Sequence, residues 1–258
     1  MKLYGLIGFP LSHSFSKKYF FDKFQRENIT ESAYDLYEMQ DLEELPKLLK
    51  EKGPELKGLN VTIPHKKNVI PYLDDLDSAS AARIGAVNTI KIYPDGSTKG
   101  FNSDYYGFKQ SLEEWFDKKG ESCKNIKALV LGNGGAAKAV KVALEDLQLE
   151  YLVVSRQRDK NAISYDQIDE SVLESHRLII NTTPLGMYPK IEESPEIPYQ
   201  YLTKSHYLYD LVYNPGETEF LKKGAAKGAA TQNGLKMLQL QAEKSWDIWV
   251  TEDNLWSI

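Results

Sequence analysis

The chain has 258 residues, of which 41% are hydrophobic and 27% charged, as is usual for a globular protein of one large domain or two modest ones. A net charge of −5 with no basic field argues against a nucleic-acid partner, and no apolar stretch approaches the roughly 20 residues of a membrane helix. Cys123 is the only cysteine and the four histidines lack metal-ligand spacing, so we expect a cytoplasmic protein without a bound metal.

The first hundred residues alternate between two kinds of pattern. Short apolar runs predict strands over residues 3–9, 34–39 and 59–63. Apolar residues at helical spacing predict helices over residues 17–27 and 41–52. Asp41 is a candidate N-cap of the second helix, and Gly53 ends it. Two further strands flank a Pro-Asp-Gly turn and predict a hairpin over residues 88–93 and 97–101.

The second half of the chain restarts the alternation. An amphipathic helix is predicted over residues 105–119, and the last helix over residues 235–249. Between them, apolar runs predict strands over residues 128–131, 151–154, 178–181 and 207–212, with a helix over 136–147 and a long loop over 184–198. Alternating strands and helices indicate a mostly parallel sheet with helices on both faces. The fold class is therefore α/β, with two domains that meet near Ser103.

A glycine-rich turn follows the strand over residues 128–131. In "ALVLGNGGAAKAV", Gly132, Gly134 and Ala137 match the G-x-G-x-x-G/A fingerprint, after a strand and at the start of a helix. Gly132 permits the tight turn, and Gly134 lets the backbone approach a pyrophosphate, which the free N–H groups of the helix start then bind. The alternative is a tight turn without a ligand, but the strand and helix around it favour a bound dinucleotide.

The loop after the next strand indicates which dinucleotide is bound. An NAD site usually ends this strand in a carboxylate that accepts from the ribose 2′-hydroxyl. Here the strand ends in Ser155 and Arg156, followed by Arg158 and Lys160, with no carboxylate before Asp159. Such a loop favours the 2′-phosphate of NADP, although a solvated basic loop without a ligand has the same composition.

Polar residues follow two of the predicted strands in the first domain. "GFPLSHSFSKKYF" places Ser14 and Ser16 after the first strand, and Ser16 is also a candidate N-cap of the next helix. "GLNVTIPHKK" places four polar residues at the carboxyl end of the third strand: Asn60, Thr62, His65 and Lys66. Ligands bind outside the carboxyl ends of strands in open α/β sheets. Taken singly, Lys66 is more often a surface lysine, Asn88 a turn residue and Asp104 a helix N-cap.

Taken together and in order, these motifs resemble the shikimate dehydrogenases over nearly the whole chain. The shared segments are "SHSFS", "NVTIPHK", "GAVNT", "NSD", "GNGGA", "SR", "NTTPLGM", "YDLVY" and "NGLKMLQLQA". The resemblance implies a substrate domain with a mixed sheet over residues 1–103, completed by the C-terminal helix over 235–258, which returns to it, and a Rossmann-like NADP-binding domain over 104–234. It implies the reversible NADPH-dependent reduction of 3-dehydroshikimate to shikimate, a step in aromatic amino-acid biosynthesis.

The resemblance also implies a role for each matching residue. Ser14 and Ser16 would bind the substrate carboxylate with help from Tyr213, and Lys66 would be the catalytic acid and base, oriented by Asp104. The ring hydroxyls would be bound by Thr62, Asn88, Asp104 and Gln241. The NADP-binding residues would be Gly132, Asn133, Gly134, Gly135, Ala136, Ser155, Arg156, Thr182, Leu211, Gly234 and Met237.

One departure from the family leaves alternatives open. The family often has Asn-Arg-Thr where this chain has Ser155, Arg156 and Gln157, so a hydroxyl is lost and some use of NAD is conceivable. A quinate/shikimate dehydrogenase that uses NAD is therefore one alternative, and a catalytically idle paralogue that binds shikimate or a nucleotide is another. The expected partners are a small-molecule substrate and, at most, a second copy of the chain, so we expect a monomer or homodimer.

Overall fold

A computed structural model describes residues 1–12, 14–156 and 160–251 of the chain. These residues divide into two compact units. The first unit comprises Met1–Ser103 and the chain from Ala242 onward, and the second comprises Asp104–Gln241. The second boundary thus lies within the last helix rather than at its start. Across the described ranges, no helix combines the length and the apolar character needed to cross a membrane.

The first unit is built on a mixed sheet. Its strands are β1 (Lys2–Gly8), β2 (Ser32–Glu38), β3 (Leu56–Val61), β4 (Asp75–Leu76), β5 (Thr89–Ile92) and β6 (Thr98–Phe101). In the order β2-β1-β3-β5-β6-β4, the first three strands are parallel and β5 and β6 form the predicted antiparallel hairpin. Its helices are α1 (Phe15–Arg26), α2 (Leu45–Lys52) and α3 (Ala81–Ile84). The mixed sheet predicted for this part of the chain is confirmed.

Both faces of this sheet are buried because successive side chains of a strand point to opposite sides. Leu3 and Ile7 of β1 belong to one apolar cluster, whereas Tyr4 and Leu6 belong to the other. The second cluster also contains Trp249 of the last helix.

Helix α1 begins earlier than the sequence suggested. Ser14, not Ser16, occupies the N-cap position, with extended backbone at φ −67° and ψ 120°. Ser16 lies in the first helical turn, so its candidacy as N-cap was wrong. Asp41 caps the short 3-10 turn Leu42–Glu44 that precedes α2, where it accepts from the backbone N–H of Glu43 at 3.0 Å, and Glu44 occupies the N-cap position of α2 itself. Gly53 ends α2 at φ 52°.

The last helix, α8 (Leu235–Val250), returns to the first unit as expected. The indole N–H of Trp249 donates to the carbonyl of Ile90 at 2.9 Å. Gly58 lies directly beneath this ring, and a Cβ there would be only 2.1 Å from it. Glu243 of the same helix accepts from Lys23 of α1 at 2.6 Å, where Lys23 is almost fully buried. Aromatic packing therefore attaches this helix to the first sheet, and a partly buried ion pair attaches it to α1.

The second unit is built on a parallel sheet. Its strands are β7 (Ala128–Leu131), β8 (Tyr151–Val154), β9 (Ala162–Ile163), β10 (Leu178–Asn181), β11 (Tyr207–Asp210) and β12 (Ala230–Gln232), in the order β12-β11-β10-β7-β8-β9. The helices are α4 (Ser103–Lys118), α5 (Gly135–Asp146), α6 (Glu170–Ser175) and α7 (Glu219–Ala225). The chain runs outward from β7 through β9 and then resumes at β10 on the other side of β7. This reversal between β7 and β10 is where open α/β sheets bind ligands.

Candidate functional site

Three backbone hydrogen bonds bring the polar motifs of the first unit to one edge of its sheet. Thr62 donates from its N–H to the carbonyl of Ile7 at 2.9 Å, and Val61 donates to Asn88 at the same distance. The carbonyl of Lys66 accepts from Val87 at 2.7 Å. The ends of β1 and β3 and the start of β5 therefore meet, and Thr62, Lys66 and Asn88 lie together at this edge. Thr62 and Lys66 are partly exposed there.

Ser14 follows β1 at the same end of the sheet and carries an unsatisfied hydroxyl. Its Oγ is buried and forms no hydrogen bond to any residue that the structure describes, and as the N-cap of α1 it makes no capping bond. A buried hydroxyl without a partner costs about 1–3 kcal/mol, which a bound acceptor would offset. The first turn of α1 contains no acidic side chain that would oppose an anion.

The amide of Asn88 is buried and fixed in orientation. Its Oδ1 accepts from the backbone N–H of Ser103 at 2.6 Å, and its Nδ2 donates to the hydroxyl of Ser103 at 3.0 Å. The second N–H of this amide has no partner within the described ranges of the chain. Asn88 therefore offers one donor, held in a defined direction, at the edge that also carries Lys66.

Two polar neighbours in these motifs serve the fold instead. His65 is 3% exposed, and its Nε2 lies 2.8 Å from the carbonyl of Met39. Asn102 donates to the carbonyl of Ala86 at 3.0 Å and is equally buried. Both side chains hold turns that support the edge, so neither is available to a ligand.

The glycine turn of the second unit has the geometry that its sequence predicts. Gly132 has φ 100°, and a Cβ there would lie 2.9 Å from the hydroxyl of Thr182. That hydroxyl donates to the carbonyl of Leu131 at 2.7 Å, which joins β7 to the loop after β10. Gly134 is the N-cap of α5, and a Cβ at Gly134 or Gly135 would meet nothing within 4 Å. The start of α5 is thus open to a ligand.

A cavity of about 690 Å³ lies in front of this turn. Its lining includes six of the predicted cofactor residues: Gly132, Asn133, Gly134, Ser155, Arg156 and Thr182. Arg156 and Lys160 supply positive charge, and none of the described lining residues carries a carboxylate. Gln157, Arg158 and Asp159, which the sequence analysis placed in this loop, lie outside the described residues, as does His13. A cavity with this charge fits an anionic nucleotide.

The other residues predicted to bind cofactor or substrate in the second unit lie outside that lining. Gly135 and Ala136 are the first two residues of α5. The backbone of Gly234 packs against Leu211, since a Cβ on Gly234 would lie 2.1 Å from the Leu211 carbonyl oxygen. Met237 is on α8. Asp104 is in the first turn of α4, and Tyr213 follows β11 with 38% of its surface exposed. Gln241 is 9% exposed and donates to the Leu238 carbonyl at 3.0 Å.

Sequence analysis missed part of the cavity wall. Asn161, Tyr165, Thr183 and Pro184 also line it. Tyr165 follows β9, whose Ile163 pairs with Val154 of β8, and this pairing places the tyrosine beside the Ser155–Arg156 loop. Burial raises the pKa of Tyr165, and the nearby positive charge of Arg156 only partly offsets this increase. No local pattern marks β9, because a two-residue strand is too short to show one.

The parallel sheet, its reversal between β7 and β10, and the glycine turn at the start of α5 define a dinucleotide-binding α/β protein. The model of the shikimate dehydrogenase substrate binding domain matches residues 6–90 of the chain. The NADP⁺-dependent shikimate dehydrogenase of Clostridium beijerinckii is 41% identical over 257 residues, which cover 96% of this chain and 92% of that protein. The chain belongs to the shikimate dehydrogenase family.

Two solved structures show how similar the folds are. Shikimate 5-dehydrogenase from Thermus thermophilus, in complex with NADP(H) and shikimate, has a TM-score of 0.82 and 32% identity, covering 97% of this chain and 94% of its own. Quinate dehydrogenase from Corynebacterium glutamicum, in complex with NAD, has a TM-score of 0.84 and 28% identity, covering 96% of this chain and 93% of its own. The predicted two-part α/β fold is therefore confirmed.

Proposed function

We propose that the protein is a shikimate dehydrogenase that catalyses the reversible, NADPH-dependent reduction of 3-dehydroshikimate to shikimate. The observation that carries the proposal is the edge of the first sheet. There a buried hydroxyl of Ser14 and a directed N–H of Asn88 lack partners within the described ranges, and the partly exposed Lys66 belongs to the same edge. These groups match a ligand with a carboxylate, ring hydroxyls and a reacting carbonyl.

The cofactor is NADP in this proposal. The cavity in front of the glycine turn is positively charged through Arg156 and Lys160, and none of its described lining residues would repel a 2′-phosphate. A hydrogen bond to a charged group contributes about 1.5–3 kcal/mol, which corresponds to roughly a tenfold to hundredfold preference. The remaining predicted contacts, Gly135, Ala136, Leu211, Gly234 and Met237, would extend the site along the cofactor.

Each substrate residue has a chemical task. Ser14 and Ser16, with Tyr213, donate to the carboxylate, and the ring hydroxyls are bound by Thr62, Asn88, Asp104 and Gln241. Neutral hydroxyl and amide groups suit a polyol because they donate and accept without adding buried charge. A site built in this way rejects analogues that lack a hydroxyl, since its own buried polar groups would then remain unpaired.

The reaction requires a proton at the carbonyl oxygen. NADPH supplies the hydride when bound. Lys66 donates a proton to the oxygen as negative charge develops there, and it removes the same proton when the reaction runs from shikimate. Asp104 orients the ammonium group of Lys66. Residues 1–103 and the C-terminal helix would then act as the substrate domain, and residues 104–234 as the NADP domain.

The setting of the enzyme follows from the same proposal. With one cysteine and a biosynthetic reaction that needs NADPH, we expect the protein in the cytoplasm as a monomer or homodimer without a nucleic-acid partner. The expected partner is the small-molecule substrate alone.

A quinate/shikimate dehydrogenase that uses NAD is the second candidate. It is favoured by the absence of the threonine that the family often has after Arg156, and the fold is equally close to an NAD-bound quinate dehydrogenase. Initial rates with shikimate or quinate, each with NADP or NAD, separate the two. We expect the highest kcat/KM for shikimate with NADP. A higher value for quinate with NAD would favour the second candidate, and binding of shikimate without turnover would indicate an idle paralogue.

A further inference from the structure

Buried polar side chains connect Tyr34 to Asn88 through the interior of the first unit. The hydroxyl of Tyr34 donates to Oδ1 of Asn60 at 2.8 Å. Asn60 is 6% exposed, and its Nδ2 donates to the backbone carbonyl of Asn88 at 3.2 Å. Asn88, which is proposed to bind a ring hydroxyl, is therefore held by hydrogen bonds on the side away from the ligand.

The last helix contributes the residue on which this network converges. Ser245 of α8 is fully buried, and its Oγ accepts from Nδ2 of Asn60 at 2.9 Å. The same oxygen is hydrogen-bonded to the hydroxyls of Thr89 at 2.8 Å and Ser103 at 3.1 Å. Ser103 in turn holds both ends of the Asn88 amide. The hydroxyl of Ser245 thus reaches Asn88 by three routes: through Asn60, through Ser103, and through Thr89, whose hydroxyl donates to Oδ1 of Asn88 at 3.2 Å.

We propose that Ser245 is a positioning residue for substrate binding, which orients Asn88 through Ser103, Thr89 and Asn60. This inference rests on the proposed function. In a buried network each group needs its partners, so loss of one hydroxyl forces several neighbours to reorient. Ser245 touches neither substrate nor cofactor in this proposal. It gives the C-terminal helix a second role in substrate recognition, beside the direct contact proposed for Gln241.

Three substitutions at Ser245 separate hydrogen bonding from packing. Ser245→Ala removes the hydroxyl, Ser245→Cys keeps the volume with a weak donor, and Ser245→Thr keeps the hydroxyl. The Ala and Cys variants should raise the KM for shikimate about tenfold, equivalent to about 1.4 kcal/mol, with kcat and the KM for NADP within about twofold. The KM changes without kcat because Asn88 binds ground state and transition state alike. Ser245→Thr should restore the wild-type KM.

Trp249→Phe is the matched control, because Trp249 lies one helical turn beyond Ser245 on the same helix. It loses one buried hydrogen bond, to the carbonyl of Ile90, which is not part of the network around Asn88. It should lower the melting temperature and leave the KM for shikimate unchanged. The inference is overturned if Ser245→Ala leaves this KM unchanged, or if KM follows melting temperature in all variants, Trp249→Phe included. If the wild-type protein is inactive, both the proposed function and this inference are wrong. If the wild type is active and Ser245→Ala has the wild-type KM for shikimate, only the inference is wrong.

Discussion

The side-chain amide of Asn181 donates to the carboxylate of Asp210 at 2.9 Å, at the carboxyl ends of the adjacent strands β10 and β11. Asp210 also accepts from the N–H of Val212 at 3.0 Å and from the hydroxyl of Thr218, and it is fully buried. Through Asn181, whose Oδ1 accepts from Thr183, this carboxylate supports the wall of the nucleotide cavity. Burial outweighs the three hydrogen bonds and raises the pKa of Asp210 to about 6.

The raised pKa of Asp210 predicts a pH-dependent stability. The folded state binds the proton more tightly than the unfolded state, so the contribution to stability is complete below about pH 4 and is lost as the pH rises through about 6. The loss is about 3 kcal/mol. An asparagine side chain cannot titrate, so the Asp210→Asn variant should not show this loss. The free energy of unfolding of the variant minus that of the wild type should therefore increase by most of the about 3 kcal/mol between pH 4 and pH 7. Urea unfolding measures it, and an equal difference at both pH values contradicts the assignment.

Ser14→Ala should weaken substrate binding without weakening the fold. The hydroxyl that is removed makes no hydrogen bond to any described residue, so the melting temperature should stay the same or rise. The KM for shikimate should increase roughly tenfold to hundredfold, because a hydrogen bond to a carboxylate contributes about 1.5–3 kcal/mol. Ser12→Ala, at an exposed position in the same turn, is the control. An unchanged KM in Ser14→Ala would argue against this carboxylate site.

The two glycines of the nucleotide turn should respond differently to alanine. Gly134 has φ −83° and open space around its Cα, so Gly134→Ala should fold with the wild-type melting temperature. Its methyl group would stand where the pyrophosphate approaches, and the Kd for NADP should rise at least about tenfold. Gly132→Ala should instead lower the melting temperature, because φ is positive and Thr182 is too close. Titration of NADP into Gly134→Ala with wild-type affinity would contradict this binding mode.

Arg156 should discriminate between the two dinucleotides. Arg156→Gln removes the positive charge at the cavity, so the KM for NADP should rise about tenfold to hundredfold while the KM for NAD changes less than about threefold. Lys204→Ala is a control for charge alone, since Lys204 is exposed and precedes β11 at the opposite end of the sheet. Equal increases for both dinucleotides would mean that Arg156 does not bind the 2′-phosphate.

The regular elements of the second unit could be predicted where local signals were strong. The predicted bounds of β7, β8 and β10 are correct, because each is a short apolar run between polar residues and pairs along its full length. Helix α7 was missed because it is short and contains Gly224, which normally indicates a break. The structure explains this glycine, since a Cβ there would lie 2.2 Å from the side chain of Leu208. Only the packed fold supplies that constraint.

At the site too, some features could be predicted from the sequence, whereas others depend on tertiary contacts. Residue types and motif order were enough to nominate Ser14, Lys66 and the glycine turn. They could not show that the imidazole of His65 is hydrogen-bonded to a backbone carbonyl, or that Ser14 is the N-cap of α1. Nor could they show that Ser245 is hydrogen-bonded to Ser103, which holds the amide of Asn88. Hydrogen-bond partners far apart in the chain leave no local signal, so these relationships required the structure.

The rate of NADPH formation from shikimate and NADP, measured for wild type and Lys66→Ala, tests the central claim most directly. Lys66→Ala should retain shikimate binding but lose about 10²–10⁴ in kcat, because it lacks the group that takes the hydroxyl proton. Lys67→Ala, the exposed neighbour, should turn over like wild type. We expect the wild type and Lys67→Ala to be active and Lys66→Ala to be nearly inactive. Turnover of Lys66→Ala at the wild-type rate, or no turnover of the wild type, would contradict the proposed function.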